Sequence, residues 1–533
     1  MIGSALSRRT EAAPLHCRIR LIAGLVLAFL LCPAGAILAS ETSLIETARH
    51  QDAESVRVLL EGGADPDQRQ ADGATALHWA VYRQDLEMAG LLLAAGADVN
   101  AVNRLGASPL FVAAEGDNAG LIRQLLEAGA DPDIALPMGE TPAMTASRVG
   151  SAEGVRDLVA AGADVNAVER SRGQTALMWA AAQGHMEVAT ALIEAGADLD
   201  ARSTVRPRLM FADASNGGAF DQGVVEQLGG YSPLLFAARN GHGGVARLLI
   251  EAGAEIDGEA GNGASPLVVA VHSGHFVLAR RLLERGAEPN AIGAGYNALH
   301  AAVLRGDLET VNALLEHGAD PNVRLERPTP TQRASEDWAL RTPVVSATPY
   351  WLAANFREAE IMRALERAGA DPLMTTQESF RRLRDRESRE NPPPPEVVGG
   401  FASALQAAVT GASDRDRYYV LATEDPVGEE RLALEAVRAA TEHGVDLDHA
   451  DFTGSTALHD ATARNLVSIV RELAERGADV NALNGRGMTP LDIAEAPARR
   501  SVLNLESNAP VPTKSASEIL REFGALLSQN LPD

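Results

Sequence analysis

Residues 175–200 read TALMWAAAQGHMEVATALIEAGADLD, and this stretch holds the local signals from which the rest of the chain follows. Thr175 offers a side-chain oxygen to the unpaired amides at a helix start. Val188, Leu192 and Ile193 have the spacing of a buried helical stripe. Gly196 stands where that second helix must end with φ > 0, a conformation costly for a residue with a Cβ. The stretch therefore predicts a helix, a loop, a second helix and a stop.

The signals recur in phase. Gly-Ala-Asp begins at Gly63, Gly96, Gly129, Gly162 and Gly196, spaced 33, 33, 33 and 34 residues, and its glycine returns at Gly253, Gly286, Gly318, Gly369, Gly444 and Gly477. A second phrase, Thr/Ser-Pro/Ala-Leu, follows each close, so that twelve units begin near Ser43, Thr75, Ser108, Thr141, Thr175, Ser232, Ser265, Asn297, Thr348, Ser403, Thr456 and Thr489. Pro109, Pro142, Pro233, Pro266, Pro349 and Pro490 fall at the first helical position, where proline gives up no hydrogen bond. One unit cannot bury its stripe alone, so stacking is required. The outermost units differ, as stacking demands: the first opens Ser43-Leu44-Ile45-Glu46, and the last breaks after Glu495 and resumes over Ser517–Phe523 before closing at Gly524. The fold class is an all-α repeat solenoid.

The pattern resembles the ankyrin repeat, whose consensus runs from a Thr-Pro-Leu-His opening through a Gly-His turn to a Gly-Ala-Asp-Val-Asn close. The resemblance covers roughly 70% of the chain. It divides the chain into repeats 1–5 (43–203), an insertion (204–229), repeats 6–8 (230–325), an insertion (326–345), repeat 9 (346–376), an insertion (377–402), repeats 10–11 (403–484, interrupted at 414–430) and an irregular capping repeat (485–533). The first three insertions fall in the hairpin loops that this family projects beside its concave face; the fourth falls between two helices of one unit. Segment 377–402 interleaves Arg381, Arg382, Arg384, Arg386 and Arg389 with acids ahead of Pro392–Pro395, and reads as a short charged helix and a stiff spacer, or as a docking element.

Residues 1–39 form an export signal: Arg8, Arg9, Arg18 and Arg20, an uncharged apolar run from Leu21 to Cys32, then Pro33 and Ala34-Gly35-Ala36. Cleavage after Ala36 or Ala39, or retention as an inner-membrane anchor over 21–39, both place the body in the periplasm or outside the cell. The only cysteines, Cys17 and Cys32, lie in that leader, which excludes disulfide, thiol and Cys-metal chemistry in the body. Net charge is −25 for the whole chain and −28 without the leader, 43 basic against 71 acidic residues. Such a balance opposes nucleic acid and anionic membranes.

No catalytic, cofactor or metal site is expected. His78, His300 and His459 occupy the slot where the family uses the ring to hold its turn, and His185, His242 and His275 occupy the Gly-His turn. Trp79, Trp179 and Trp351 recur on first helices, as packing residues. Phosphate loops, nucleophile elbows and His-Glu-x-x-His helices are absent from the sequence. The insertions leave one enzymatic alternative open, an active site built on the scaffold; an effector acting in another organism's cells is a second alternative.

The resemblance implies that a protein partner is bound through the last positions of the first helices and through hairpin residues. Here these are Tyr82 and Arg83, Arg148, Gln183, Arg239 and Asn240, His272, Arg305 and Arg464, with Arg104 and Arg172 on hairpins. Arginine recurs, so the expectation is a monomer with a basic stripe on an acidic body, meeting an acidic surface, either a protein's or an anionic polymer's.

Overall fold

Each repeat begins where the sequence places a capping oxygen. Ser108 accepts from the Phe111 amide, Ser232 from Leu235 and Thr348 from Trp351, while Thr75, Asn297 and Thr456 form reciprocal capping boxes with His78, His300 and His459. Each such cap contributes about 1 kcal/mol. At the other end, the twelve closing glycines from Gly63 to Gly524 have φ between +73° and +100°. A Cβ at any of them would meet nothing within 4 Å. Backbone conformation, not lack of space, selects glycine there.

The computed structural model describes residues 43–211, 223–326, 346–380, 396–399, 402–411, 426–442, 444–496 and 514–532. These contain twelve helix pairs. Repeats 1–4 pair Leu44–Arg49 with Ala53–Glu61, Ala76–Tyr82 with Leu86–Ala94, Pro109–Glu115 with Ala119–Glu127, and Pro142–Val149 with Ala152–Ala160. Repeats 5–8 pair Ala176–Gln183 with Met186–Glu194, Pro233–Asn240 with Gly243–Glu251, Pro266–His272 with Phe276–Glu284, and Ala298–Arg305 with Leu308–Glu316. Repeats 9–12 pair Pro349–Asn355 with Ala359–Arg367, Ala404–Thr410 with Pro426–Ala440, Ala457–Ala463 with Val467–Glu475, and Pro490–Glu495 with Ala516–Glu522. First helices pack on first helices and second on second, so one apolar core of small residues runs the length of the stack.

Two strand pairs depart from the all-helical expectation, and both grow from inserted hairpins. β1 (Arg206–Phe211) pairs antiparallel with β2 (Gly223–Leu228), and β3 (Gln377–Phe380) with β4 (Glu396–Gly399). The ends of segment 377–402 thus satisfy their backbone groups across a ribbon rather than within a helix. Its arginines and its proline run lie outside the described residues, as do residues 1–39, read from the sequence as an export signal, and residues 327–345. The fourth insertion is shorter than its sequence boundaries, because helix resumes at Pro426.

A ladder of side-chain-to-backbone bonds stitches successive closes. The residue four after the closing glycine accepts from the amide two after the next one: Asp67 from Asp98 at 2.7 Å, Asn100 from Asp131 at 2.8 Å, Asp133 from Asp164 at 3.0 Å, Asn166 from Asp198 at 2.7 Å and Asp200 from Glu255 at 2.9 Å. It continues from Asp257 to Glu288, Asn290 to Asp320, Asn322 to Asp371, Asp448 to Asp479 and Asn481 to Leu526. Where the rung is asparagine, its amide also donates to the closing-glycine carbonyl of the next repeat, as Asn290 does to Gly318 at 2.9 Å. Half of the rungs are aspartates, Asp67, Asp133, Asp200, Asp257 and Asp448.

The histidines serve the same end. His78 Nδ1 accepts from the Thr75 amide, which leaves the proton on Nε2 to donate to the Ala107 carbonyl of the next repeat at 3.0 Å. His185, His242 and His275 reach back instead, to the carbonyls of Arg148, Ala182 and Arg239. Their rings lie over the preceding turn glycine, so that a Cβ on Gly184 would stand 2.5 Å from the His242 ring.

Candidate partner-binding surface

Most first helices end at turns with one left-handed residue, Gly150, Gly184, Gly241, Gly274 or Gly306, or Gln51, Gln84, Asp117, Arg357 and Asn465 where glycine is lacking. The residues just before these turns emerge from the packed stack. Tyr82 is 62% exposed and sits edge-on to Trp79, ring centroids 5.7 Å apart. Trp79 is fixed by its indole N–H donating to Gln70 Oε1 at 3.1 Å, and Arg49 of the first repeat lies 4.9 Å over its face. Arg83 follows, exposed. In repeat 6 the exposed Arg239 lies 5.8 Å from the Tyr231 ring, which tilts against Phe236, and the exposed Asn240 donates to the Phe236 carbonyl. Gln183 and Arg464 are exposed as well.

Two of the sequence-predicted arginines are committed within the chain. Arg148 is half-buried, 5.6 Å from the Trp179 ring and 3.6 Å from Glu140. Arg305, also half-buried, donates through Nε to the His272 carbonyl at 2.8 Å, with Nη2 on the same oxygen. His272 itself packs against Tyr296. The stripe is also interrupted: repeat 3 presents an exposed Glu115 in the corresponding place. Displayed cations at the helix ends are therefore Arg83, Arg239 and Arg464.

Arg464 has a local acidic counterpart. Burial, with the charge of Asp451, pushes the Asp460 carboxyl up to about 6, and Arg464 pulls it back. Asp460 fills the position that Trp79 and Trp179 hold in their repeats, so this end of the surface is polar where the other is aromatic.

Arg104 and Arg172 stand exposed on hairpin tips, and neighbouring tips are bonded to each other. The Arg104 amide donates to the Asp72 carbonyl at 2.8 Å, Arg170 to Met138 at 2.7 Å and Thr204 to Arg172 at 2.7 Å. Sequence reasoning overlooked Arg170 and Arg206 on these tips and Arg49 on Trp79. The in-phase alignment of hairpins would have found the first two. Among the described residues, no group of three or more His, Cys, Asp or Glu side chains is placed to hold a metal ion.

Models of ankyrin repeats match most of these units. A three-copy model covers residues 23–103, 44–135, 110–203, 209–293 and 234–325, and a many-copy model covers 441–494. The chain belongs to the ankyrin repeat family. The first match begins inside the stretch read as a leader, whereas the first described helix begins at Leu44. Among curated proteins, the potassium channel AKT1 of Arabidopsis thaliana is 32% identical over 94 residues, 16% of this chain and 11% of that protein. The chain thus spans about a tenth of that relative's length. Of the six histidines singled out from sequence, His78, His459, His185, His242 and His275 each reach a carbonyl of another repeat, and His300 holds the Asn297 cap.

Proposed function

We propose that this ankyrin repeat protein acts outside the cytoplasm as a scaffold that takes a protein partner with an acidic surface onto its first-helix ends and hairpin loops. The observation that carries the reading is a reversal of charge. A chain of net charge −25 sets exposed arginines beside aromatic rings at the ends of first helices, Arg83 beside Tyr82 and Arg239 beside Tyr231. Arginine with tyrosine or tryptophan is the composition of interface hot spots. An acidic body repels most acidic proteins, so the basic patches confer choice of partner as well as attraction.

Export rests on the leader's order of charge, apolar run and small residues. Among the described residues no helix is long and apolar enough to cross a membrane. Fractionation with sequencing of the mature N-terminus tests this, and recovery in the cytoplasm with Met1 retained would sink it.

The partner reading is tested by affinity capture from the exported compartment with the combined variant Tyr82→Ala, Arg83→Ala, Arg239→Ala and Arg464→Ala. Arg148 and Arg305 are left intact because they serve the fold. Capture should be lost while helicity is unchanged, and wild-type capture should weaken as salt is raised. Undiminished capture by the variant overturns the reading.

A further inference from the structure

The hairpin tips leading into repeats 3, 4 and 5, with the base of the β1–β2 ribbon beside them, invert the character of the whole chain. They display Arg104 and Leu105; Pro137 and Met138; Val168, Arg170 and Arg172; and Val205 and Arg206. The apolar side chains are well out in solvent, Leu105 at 69%, Met138 and Val168 at 54% and Val205 at 46%. Among the described residues no carboxylate pairs with these four arginines. The two acids within these tips are already engaged: Glu140 accepts from the Thr145 hydroxyl and pairs with Arg148 at 3.6 Å, and Glu169 is buried and accepts from the amides of Ser171, Arg172 and Gln174 at 2.6, 2.7 and 3.1 Å and from the Ser171 hydroxyl.

The tips also form one surface. Arg170 to Met138 and Thr204 to Arg172 are joined by main-chain bonds. Between the first two tips Pro137 has no N–H to give, and its ring instead covers Gly106, where an added Cβ would lie 2.8 Å from Pro137 Cδ. Exposed apolar side chains cost the free protein about 25 cal/mol for every Å2 left in water. Arginines interleaved with them keep such a patch soluble until it is covered.

We propose that these tips are a docking face for an acidic segment of a partner protein that carries apolar side chains between its carboxylates. The proposal rests on the scaffold reading above and names where and by what chemistry the partner is first held. A single segment meets both needs at once: its carboxylates pair with Arg104, Arg170, Arg172 and Arg206, and its apolar groups cover Leu105, Met138, Val168 and Val205. An anionic bilayer offers the same two chemistries, but it would bring a broad negative surface against a body of charge −25. A narrow segment reaches the tips without that repulsion.

The test uses the full exported chain and a fluorescent peptide of alternating Glu and Leu, read by anisotropy. One variant combines Arg104→Ser, Arg170→Ser, Arg172→Ser and Arg206→Ser; another combines Leu105→Ser, Met138→Ser and Val168→Ser. All seven side chains are exposed, so circular dichroism should match the wild type. Each set should weaken the peptide at least about tenfold, while Arg83→Ala with Arg239→Ala and Arg464→Ala should change it less than about twofold. Equal affinity for oligoglutamate, unchanged affinity in the tip variants, or binding to phosphatidylglycerol vesicles with none to the peptide would each overturn the proposal. If the native partner is lost only from the helix-end variant, the docking face falls and the scaffold stands; if neither set affects capture, both fall.

Discussion

Ten of the eleven junctions in this solenoid carry a rung of the Asp/Asn ladder, and the junction between repeats 9 and 10 does not. There Leu373 takes the rung position, 59% exposed, with no group to accept the next amide. Polar fastening there passes to the Trp351 indole, which donates to the Ala402 carbonyl at 3.1 Å, and to ion pairs. Arg357 donates through Nη1 to the Glu429 carboxylate at 2.5 Å and to its carbonyl at 3.0 Å, and Arg363 meets Glu442 at 3.2 Å. Surface pairs cross other junctions too, as Arg123 and Asp157 do at 3.1 Å, but Arg357 is buried. It also occupies, at φ +62°, the left-handed position that Gly241 and Gly306 hold in their repeats. Apolar stacking continues unbroken across the seam, so the helices alone hold repeats together and the ladder is an addition to them. The seam shows what a junction needs when that addition is missing.

The largest expected difference between the seam and the rest is in response to acid. Repeats 2, 8 and 11 close their caps with histidine; in the same position repeat 9 carries Trp351, whose indole donates to the Ala402 carbonyl, and repeat 10 carries Gln406, which accepts from the Ser403 amide and donates to the Ser455 carbonyl. Burial pushes His300 down to about 4 from the usual 6.5. The folded ring stays neutral while the unfolded chain takes up a proton below 6.5, so stability is full above that pH and lost as pH falls to about 4. The loss is roughly 3 kcal/mol. Burial lowers His78 and His459 in the same direction, but Asp460, raised to about 6, works oppositely and offsets His459 in repeat 11. His300→Gln copies the Gln406 arrangement already present in this chain. Its urea midpoint should therefore fall less than the wild type's between pH 6.5 and 4.5; parallel losses would show that His300 carries none of the effect.

What was legible in the sequence was whatever a residue does within its own repeat. Thr175 caps its own helix, Gly196 stops its own helix, and both could be read from 26 residues. Bonds between repeats were less accessible. Asp67 follows a Gly-Ala-Asp close, but its partner amide at Asp98 lies 31 residues away and requires the stacking geometry. Arg148 and Arg305 illustrate the same limit at the binding surface: position on the helix placed them at its end, and only the neighbouring repeat reveals that a ring and a carbonyl already engage them. Arg357 left one sequence signal, an arginine in phase with turn glycines.

The second effect concerns that arginine. Glu429→Ala would leave a buried guanidinium without its carboxylate, a loss of 3–5 kcal/mol where both partners are buried and here nearer about 2 kcal/mol because Glu429 is partly in water. Arg357→Gly removes the charge together with the strained side chain and returns the turn to the residue other repeats use. The double variant should then be more stable than Glu429→Ala alone, a sign reversal that a mutant cycle in urea would detect. Simple additivity would mean that the pair is incidental to the seam.

The smallest effect repairs the ladder. Leu373→Asn places a side-chain oxygen where Asn322 and Asn481 carry theirs, facing the close that begins at Gly444 with Asp446 in the receiving position. Leu373 is exposed and its amide is already held by Asp371, so the exchange sacrifices little packing. A new rung is worth about 0.5–1 kcal/mol. In a solenoid, stability is a sum of repeat and nearest-neighbour terms, so a stronger junction binds the two flanking blocks into one cooperative unit. The gain should therefore appear less in the overall midpoint than in hydrogen exchange, where amides of repeats 10–12 should slow toward the rates of repeats 6–8. If they do not slow, the missing rung is not what sets the seam apart, and the buried Arg357 alone must account for it.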